Sequence, residues 1–174
     1  MSTVVGFKVS KVAQEKETDP RWHKAAKSRL RMELAGLAFA LQHGFSPEEY
    51  ARHLWGRGAV SWMGKENPTP KEYLRTEAEH LMVLFPWVDF QLKEYEDGVV
   101  ELVFTNGCLG SWEDDRFALA HSLGLTRQEV CRYCQEAFRV WSRQLGLEAL
   151  PLPRADNTCS IVVAPIEVSD KKVE

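Results

Sequence analysis

"WVDFQLKEYEDGVVELVFT", residues 87–105, is the stretch on which the fold turns, because the hydrophobic period changes within it. Phe90 and Leu92 alternate with polar neighbours, and Val100, Leu102 and Phe104 alternate around Glu101. "EDG" at 96–98 separates the two runs as a tight turn, so a β-hairpin is predicted here.

Everything between residues 19 and 86 has a helical period instead. Asp19-Pro20 supplies an N-cap and a first-turn proline, and Trp22, Ala26, Leu30, Leu34, Leu37 and Leu41 recur at helical spacing until Gly44. "SPEE" (46–49) and "TPKE" (69–72) are capping boxes, opening a short helix over 47–56 and a longer one over 70–85, which stops before Pro86. Between them "WGRGAVSWMG" (55–64) reads as a flexible connector.

Beyond the hairpin, a helix is predicted from about Ser111 or Trp112 to Ser122, with Glu113, Asp114 and Asp115 favouring its first turn. "TRQE" (126–129) opens the clearest helix, 127–145, whose inward stripe is Val130, Cys134, Ala137, Phe138, Trp141 and Leu145. "LEALPLPRADN" then reads as a proline-marked connector, and "TCSIVVAP" (158–165) as a well-covered strand. Val5, Phe7 and Val9 suggest a strand within residues 4–12. The expected class is α+β: an antiparallel sheet with helices on one face and a helix-rich N-terminal half. One domain over 1–168 with a polar tail at 169–174 is expected from a chain of 174 residues.

Composition narrows the function classes. With 22 Lys and Arg against 25 Asp and Glu the net charge is −3, which offers no general attraction to nucleic acid. The basic residues around the first helix, Arg21 to Arg31, read as a solvated face. The longest apolar run, "LAGLAFAL" at 34–41, is well short of the ~20 residues that cross a bilayer. "MSTVVGFKVSKV" lacks the order of a secretory signal, so a cytoplasmic location is expected, with reduced thiols and no membrane partner.

The four cysteines carry the chemical question. Cys108 follows the second hairpin strand, Cys131 and Cys134 share a face of the long helix, and Cys159 begins the last strand. Taken singly, each is well explained as a small apolar packing residue. Dithiol exchange is disfavoured, because Cys131 lies past the first turn and its helix follows another helix. Taken together, the four form a soft ligand set for zinc or an iron–sulfur cluster, although C-x₂-C occurs once where a zinc ribbon has it twice. His121 or the 113–115 acids would serve with three thiolates in another shell. His43, His53 and His80 have no ligand spacing that links them.

Two function classes follow. One is a metal or metal-cofactor site ligated by Cys108, Cys131, Cys134 and Cys159, with metal-dependent hydrolysis as its chemistry. The other is a non-enzymatic binding or sensor module, in which Trp55, Trp62, Phe104 and Trp112 line a small-ligand pocket and the cysteines simply pack. A homodimer through the small-residue face of the first helix, Ala35 and Ala38, is a third expectation.

"ELVFTNGCLG", "CRYCQEAFRVWSRQLGL" and "CSIVVAP" resemble a group of small proteins described as L-2-amino-thiazoline-4-carboxylic acid hydrolase-like, similar in turn to the 4-vinyl reductase domain. The likeness covers about the C-terminal half. It implies an α+β domain enclosing a small-molecule or cofactor pocket near Cys108 and Cys159, and hydrolysis of a thiazoline-type C–N bond.

Overall fold

The computed structural model describes residues 8–12, 19–86, 88–105, 107–108, 117–155 and 158–166. The helix starts are set by side chains close in sequence. Asp19 accepts from the Arg21 N–H at the head of α1 (Pro20–Gln42). Ser46 and Glu49 form a reciprocal capping box on α2 (Pro47–Trp55), and Thr69 with Glu72 repeats it on α4 (Pro70–Leu84). Thr126 and Glu129 do the same for α6 (Arg127–Arg143). Each box satisfies two backbone N–H groups at the start of its helix, which the first turn leaves unpaired.

The expected connector at 55–64 contains a one-turn helix, α3 (Ala59–Met63). Its glycines are the reason: Gly58 (φ 99°) and Gly64 (φ 64°) flank the turn in left-handed conformations, so they bound a helix instead of loosening a loop. Ala59 between them is fully buried.

The hairpin forms as β2 (Phe90–Glu94) and β3 (Val100–Phe104), with Phe90 opposite Phe104 and Leu92 opposite Leu102. β1 (Lys8–Val12) pairs with β2, so the described part of the N-terminal strand is the outer neighbour of the hairpin. β5 (Cys159–Pro165) pairs with β3 on the other side. The chain at 147–153, expected as connector, is a strand, β4 (Leu147–Pro153), and it closes the order β1-β2-β3-β5-β4, antiparallel throughout. Pro151 and Pro153 are tolerated because β4 is an edge strand and the two prolines share one parity. The Pro151 carbonyl is taken by Gln135 Nε2 at 3.1 Å, away from the sheet. α5 (Ala118–Ser122) is the described end of the helix expected from residue 111; its predicted start lies outside the described residues, as do Trp112, the 113–115 acids and the tail.

One sheet face carries Phe90, Leu92, Val100, Leu102, Phe104, Ile161 and Val163, all buried in a continuous core with Leu30, Leu34 and Leu37 of α1 and Leu74, Ala78 and Leu81 of α4. The opposite face carries polar groups. Glu101 accepts from the Tyr95 hydroxyl at 2.7 Å and faces Arg154 at 3.3 Å. Burial works to raise its pKa, but donation from Ser160 and Tyr95, with Lys93 and Arg154 nearby, takes it below the usual carboxylate value. The fold is thus α+β with helices on one face of the sheet and a helix-rich N-terminal half. On α1, Ala38 is buried in the core while Ala35 is exposed. Among the described residues no helix is long and apolar enough to cross a membrane.

Candidate functional site: an apolar cavity between helices and sheet

The helices do not pack flush against the sheet. A cavity of about 310 Å³ lies between them. Phe104, Pro151, Pro153, Cys159 and Ile161 form its sheet side, a placement that follows from register. Ile161 stands opposite Leu102 on β3 and Pro151 on β4, and Cys159 stands opposite Pro153, so these side chains point the same way.

The helical side is built mainly by α6. Val130, Cys134, Ala137 and Trp141 recur every three or four residues, Cys131 and Phe138 lie beside them, and all six line the space. Leu30 and Leu34 of α1 and Leu81 and Leu84 of α4 complete the apolar part. Three indoles meet at one side. Trp141 stands edge-on to Trp55, with centroids 5.6 Å apart, and edge-on to Trp62 at 5.7 Å. T-shaped pairs of this kind are the favoured geometry for aromatic rings.

All four cysteines line this cavity, Cys108 from the chain just beyond β3. All are thiols. They are near enough that each would oppose ionisation of its neighbours, but burial is the larger effect. It holds Cys134 well above its ordinary pKa and pushes Cys159 up to about 12, with the neighbouring thiolates adding to both. Cys131 is raised by burial too, against the pull of Arg127. Cys131, Cys134 and Cys159 therefore stay protonated at neutral pH and present apolar surface. Among the described residues no group of three or more His, Cys, Asp or Glu is placed to hold a metal ion. The thiols' donor chemistry suits zinc or an iron–sulfur cluster, but the described arrangement does not bring three of them round one point. His43, His53 and His121 are exposed on other parts of the fold, and His80 alone of the histidines considered lines the cavity.

Of the aromatic residues expected in a pocket, Trp55, Trp62 and Phe104 line it, while Trp112 lies outside the described residues. The sequence pattern assigns Trp141 to core packing and leaves unmarked polar residues of the wall, four of them ionisable. Arg29 and Glu33 on α1 form an ion pair at 3.0 Å. Tyr133 donates to Glu33 Oε1 at 2.8 Å and accepts from Trp55 Nε1 at 2.9 Å. Burial, then the nearby Glu33 charge, raises the Tyr133 pKa far beyond reach of neutral pH. The fourth is Glu77 on α4, only 6% exposed. Burial pushes its pKa up to about 7, against donors offered by Tyr73 and Trp141. Neither Tyr73 Oη nor Glu77 Oε1 has a hydrogen-bond partner of ordinary geometry. The signal available in the sequence was an acid inside an apolar stripe: Tyr73, Leu74, Glu77, Ala78 and Leu81 all face inward.

The wall thus pairs a wide apolar surface with a few fixed polar groups, the usual composition of a small-molecule site. Comparison with protein-family models, with curated proteins and with solved structures yields no match for this chain.

Proposed function

We infer that the protein is a small-ligand-binding or sensor module whose ligand occupies the cavity between α1, α4, α6 and the sheet. The observation that carries this reading is the cavity itself: about 310 Å³ of space with an apolar, indole-rich lining. Protein interiors normally close such space to near-crystal density, because unfilled volume forfeits dispersion contacts. A fold that keeps it open is suited to filling it with a guest. In this reading the cysteines act as polarisable apolar surface, in keeping with their raised pKa values. A cytoplasmic setting, which keeps thiols reduced, agrees with it.

The test is calorimetric titration with a neutral aryl alcohol, phenylbutanol, against the natural chain and Ala137→Trp, which fills the cavity from α6. A Kd on the order of 0.1–1 mM is expected for the natural chain, in line with the affinity available per ligand atom. The variant should retain its fold and show no saturable heat. Equal binding by both proteins would contradict the assignment.

A second reading has one observation in its favour, the presence of all four cysteines on one cavity. In it, Cys108, Cys131, Cys134 and Cys159 hold zinc or an iron–sulfur cluster, and the protein hydrolyses a small thiazoline- or amide-type substrate. Such a group would supply Lewis-acid chemistry when bound. It requires the thiols to draw together and to lose protons that burial holds in place. Elemental analysis and visible absorption of untagged protein decide the matter; less than about 0.2 metal per chain with four titratable thiols would remove this reading.

A further inference from the structure

The polar groups of the cavity are not equivalent. Arg29 and Glu33 neutralise each other across 3.0 Å, and the Arg29 guanidinium also lies 5.4 Å over the Phe85 ring. Glu33 Oε1 is further occupied by the Tyr133 hydroxyl. His80, on the next turn of α4 from Glu77, is kept neutral by burial and by Arg29. Arg29 Nη1 and Glu33 Oε2 also lack a hydrogen-bond partner, but each belongs to an ion pair, and Glu77 stands apart from this pairing. Its carboxyl lines the cavity, its side chain is more than nine-tenths buried, and Oε1 has no hydrogen-bond partner. Among the described residues no Lys, Arg or His lies within ion-pair distance of it.

A buried carboxyl left incomplete in this way is costly for folding alone. A ligand that brings a cation would complete it. The surroundings favour that charge, since Trp141 offers its indole to Glu77 and stands between Trp55 and Trp62. Indole faces attract ammonium groups more strongly than other aromatic side chains do. An anion could reach Arg29 Nη1, which has no hydrogen-bond partner, but it would lie beside the Glu33 carboxylate and in the same cavity as the Glu77 carboxyl.

We propose that the ligand is a small lipophilic amine, its ammonium group paired with Glu77 Oε1 beside Trp141 and its aryl or alkyl body in the apolar space toward Cys134 and Ile161. This rests on the cavity being a ligand site and names the class of ligand it takes.

Three shape-matched probes separate the outcomes: phenylbutylamine, phenylbutanol and phenylbutanoate, titrated by calorimetry into the full chain and into Glu77→Gln. In the natural chain the amine should bind at least about tenfold more tightly than the alcohol. In Glu77→Gln that preference should fall below about threefold, while the alcohol's Kd moves by less than about twofold. Amine and alcohol binding alike to the natural chain, or carboxylate binding tightest, would overturn the amine assignment and leave the cavity as a ligand site. Binding of none of the three would overturn both. The comparison of probes in the natural chain stands even where the variant folds poorly.

Discussion

The Tyr133 hydroxyl on α6 donates to Glu33 Oε1 on α1 across 2.8 Å, although a hundred residues separate them in the chain. The Tyr133 hydroxyl oxygen in turn accepts from Trp55 Nε1 at 2.9 Å, so one phenol ties three helices together at the wall of the cavity. Networks of this kind hold the helices at a set spacing from one another, which keeps the cavity's shape.

Removing that oxygen should be costly out of proportion to its size. Tyr133→Phe leaves the Trp55 indole N–H without its acceptor and the Glu33 carboxylate one donor short. A loss of about 2–3 kcal/mol in unfolding free energy is expected, from two orphaned partners instead of one exchanged hydrogen bond. Urea denaturation with an unchanged slope measures it. A cost under about 0.5 kcal/mol would show that water replaces the phenol and that the network does not set the helix spacing.

Glu77 makes stability fall with pH. Its folded pKa, about 7, lies above the ordinary glutamate value of 4.5. Below the lower value the acid is neutral in both states and its burial costs nothing extra. Between the two, the unfolded chain ionises while the folded chain does not, so folding loses ground as pH rises. Above the higher value the full penalty applies, on the order of 3 kcal/mol. Glu77→Gln removes the titration. The variant should be more stable than the natural chain by about 2–3 kcal/mol near pH 8, shrinking below about 1 kcal/mol near pH 4. Chemical denaturation across that range checks it, and a difference independent of pH would mean that the carboxyl is solvated.

Cys134 discriminates the apolar cavity from a thiolate centre. Cys134→Ser puts a hydroxyl where burial already penalises a charged sulfur, at an expected cost of about 1–3 kcal/mol. Phenylbutanol affinity should change by less than about threefold, since the residue contributes surface and no directed bond. Thermal unfolding and calorimetry read the two effects. Bound metal in the natural protein that disappears in the variant would favour the thiolate centre.

Features encoded close together in the chain were legible before any coordinates. Ser46 with Glu49, Thr69 with Glu72 and Thr126 with Glu129 announce helices because their partners lie three residues apart. The hairpin over Phe90–Phe104 is local too. β4 was hidden by Pro151 and Pro153, which argue against a strand until its edge position is known. α3 was hidden because glycine marks both loops and helix ends, and only the backbone angles at Gly58 and Gly64 tell which. At the site, Trp62 and Phe104 stood out as aromatic candidates and Cys131 with Cys134 as a shared face. The cavity's volume was not legible, because it depends on how far α1, α4 and α6 stand from the sheet. Nor was the role of Trp141, whose place in the stripe of α6 fits core packing equally well.

The central claim is that a small apolar molecule enters this cavity, and the indole N–H signals of the tryptophans test it at residue level. Phenylbutanol is titrated into isotope-labelled protein and the two-dimensional spectra are followed by NMR. Trp55, Trp62 and Trp141 line the cavity and should shift together along one saturable curve. Trp22, whose indole donates to the Val83 carbonyl at 2.7 Å and which lies outside the cavity lining, should hold its position. Shifts confined to Trp22, or none at saturating alcohol, would contradict the account.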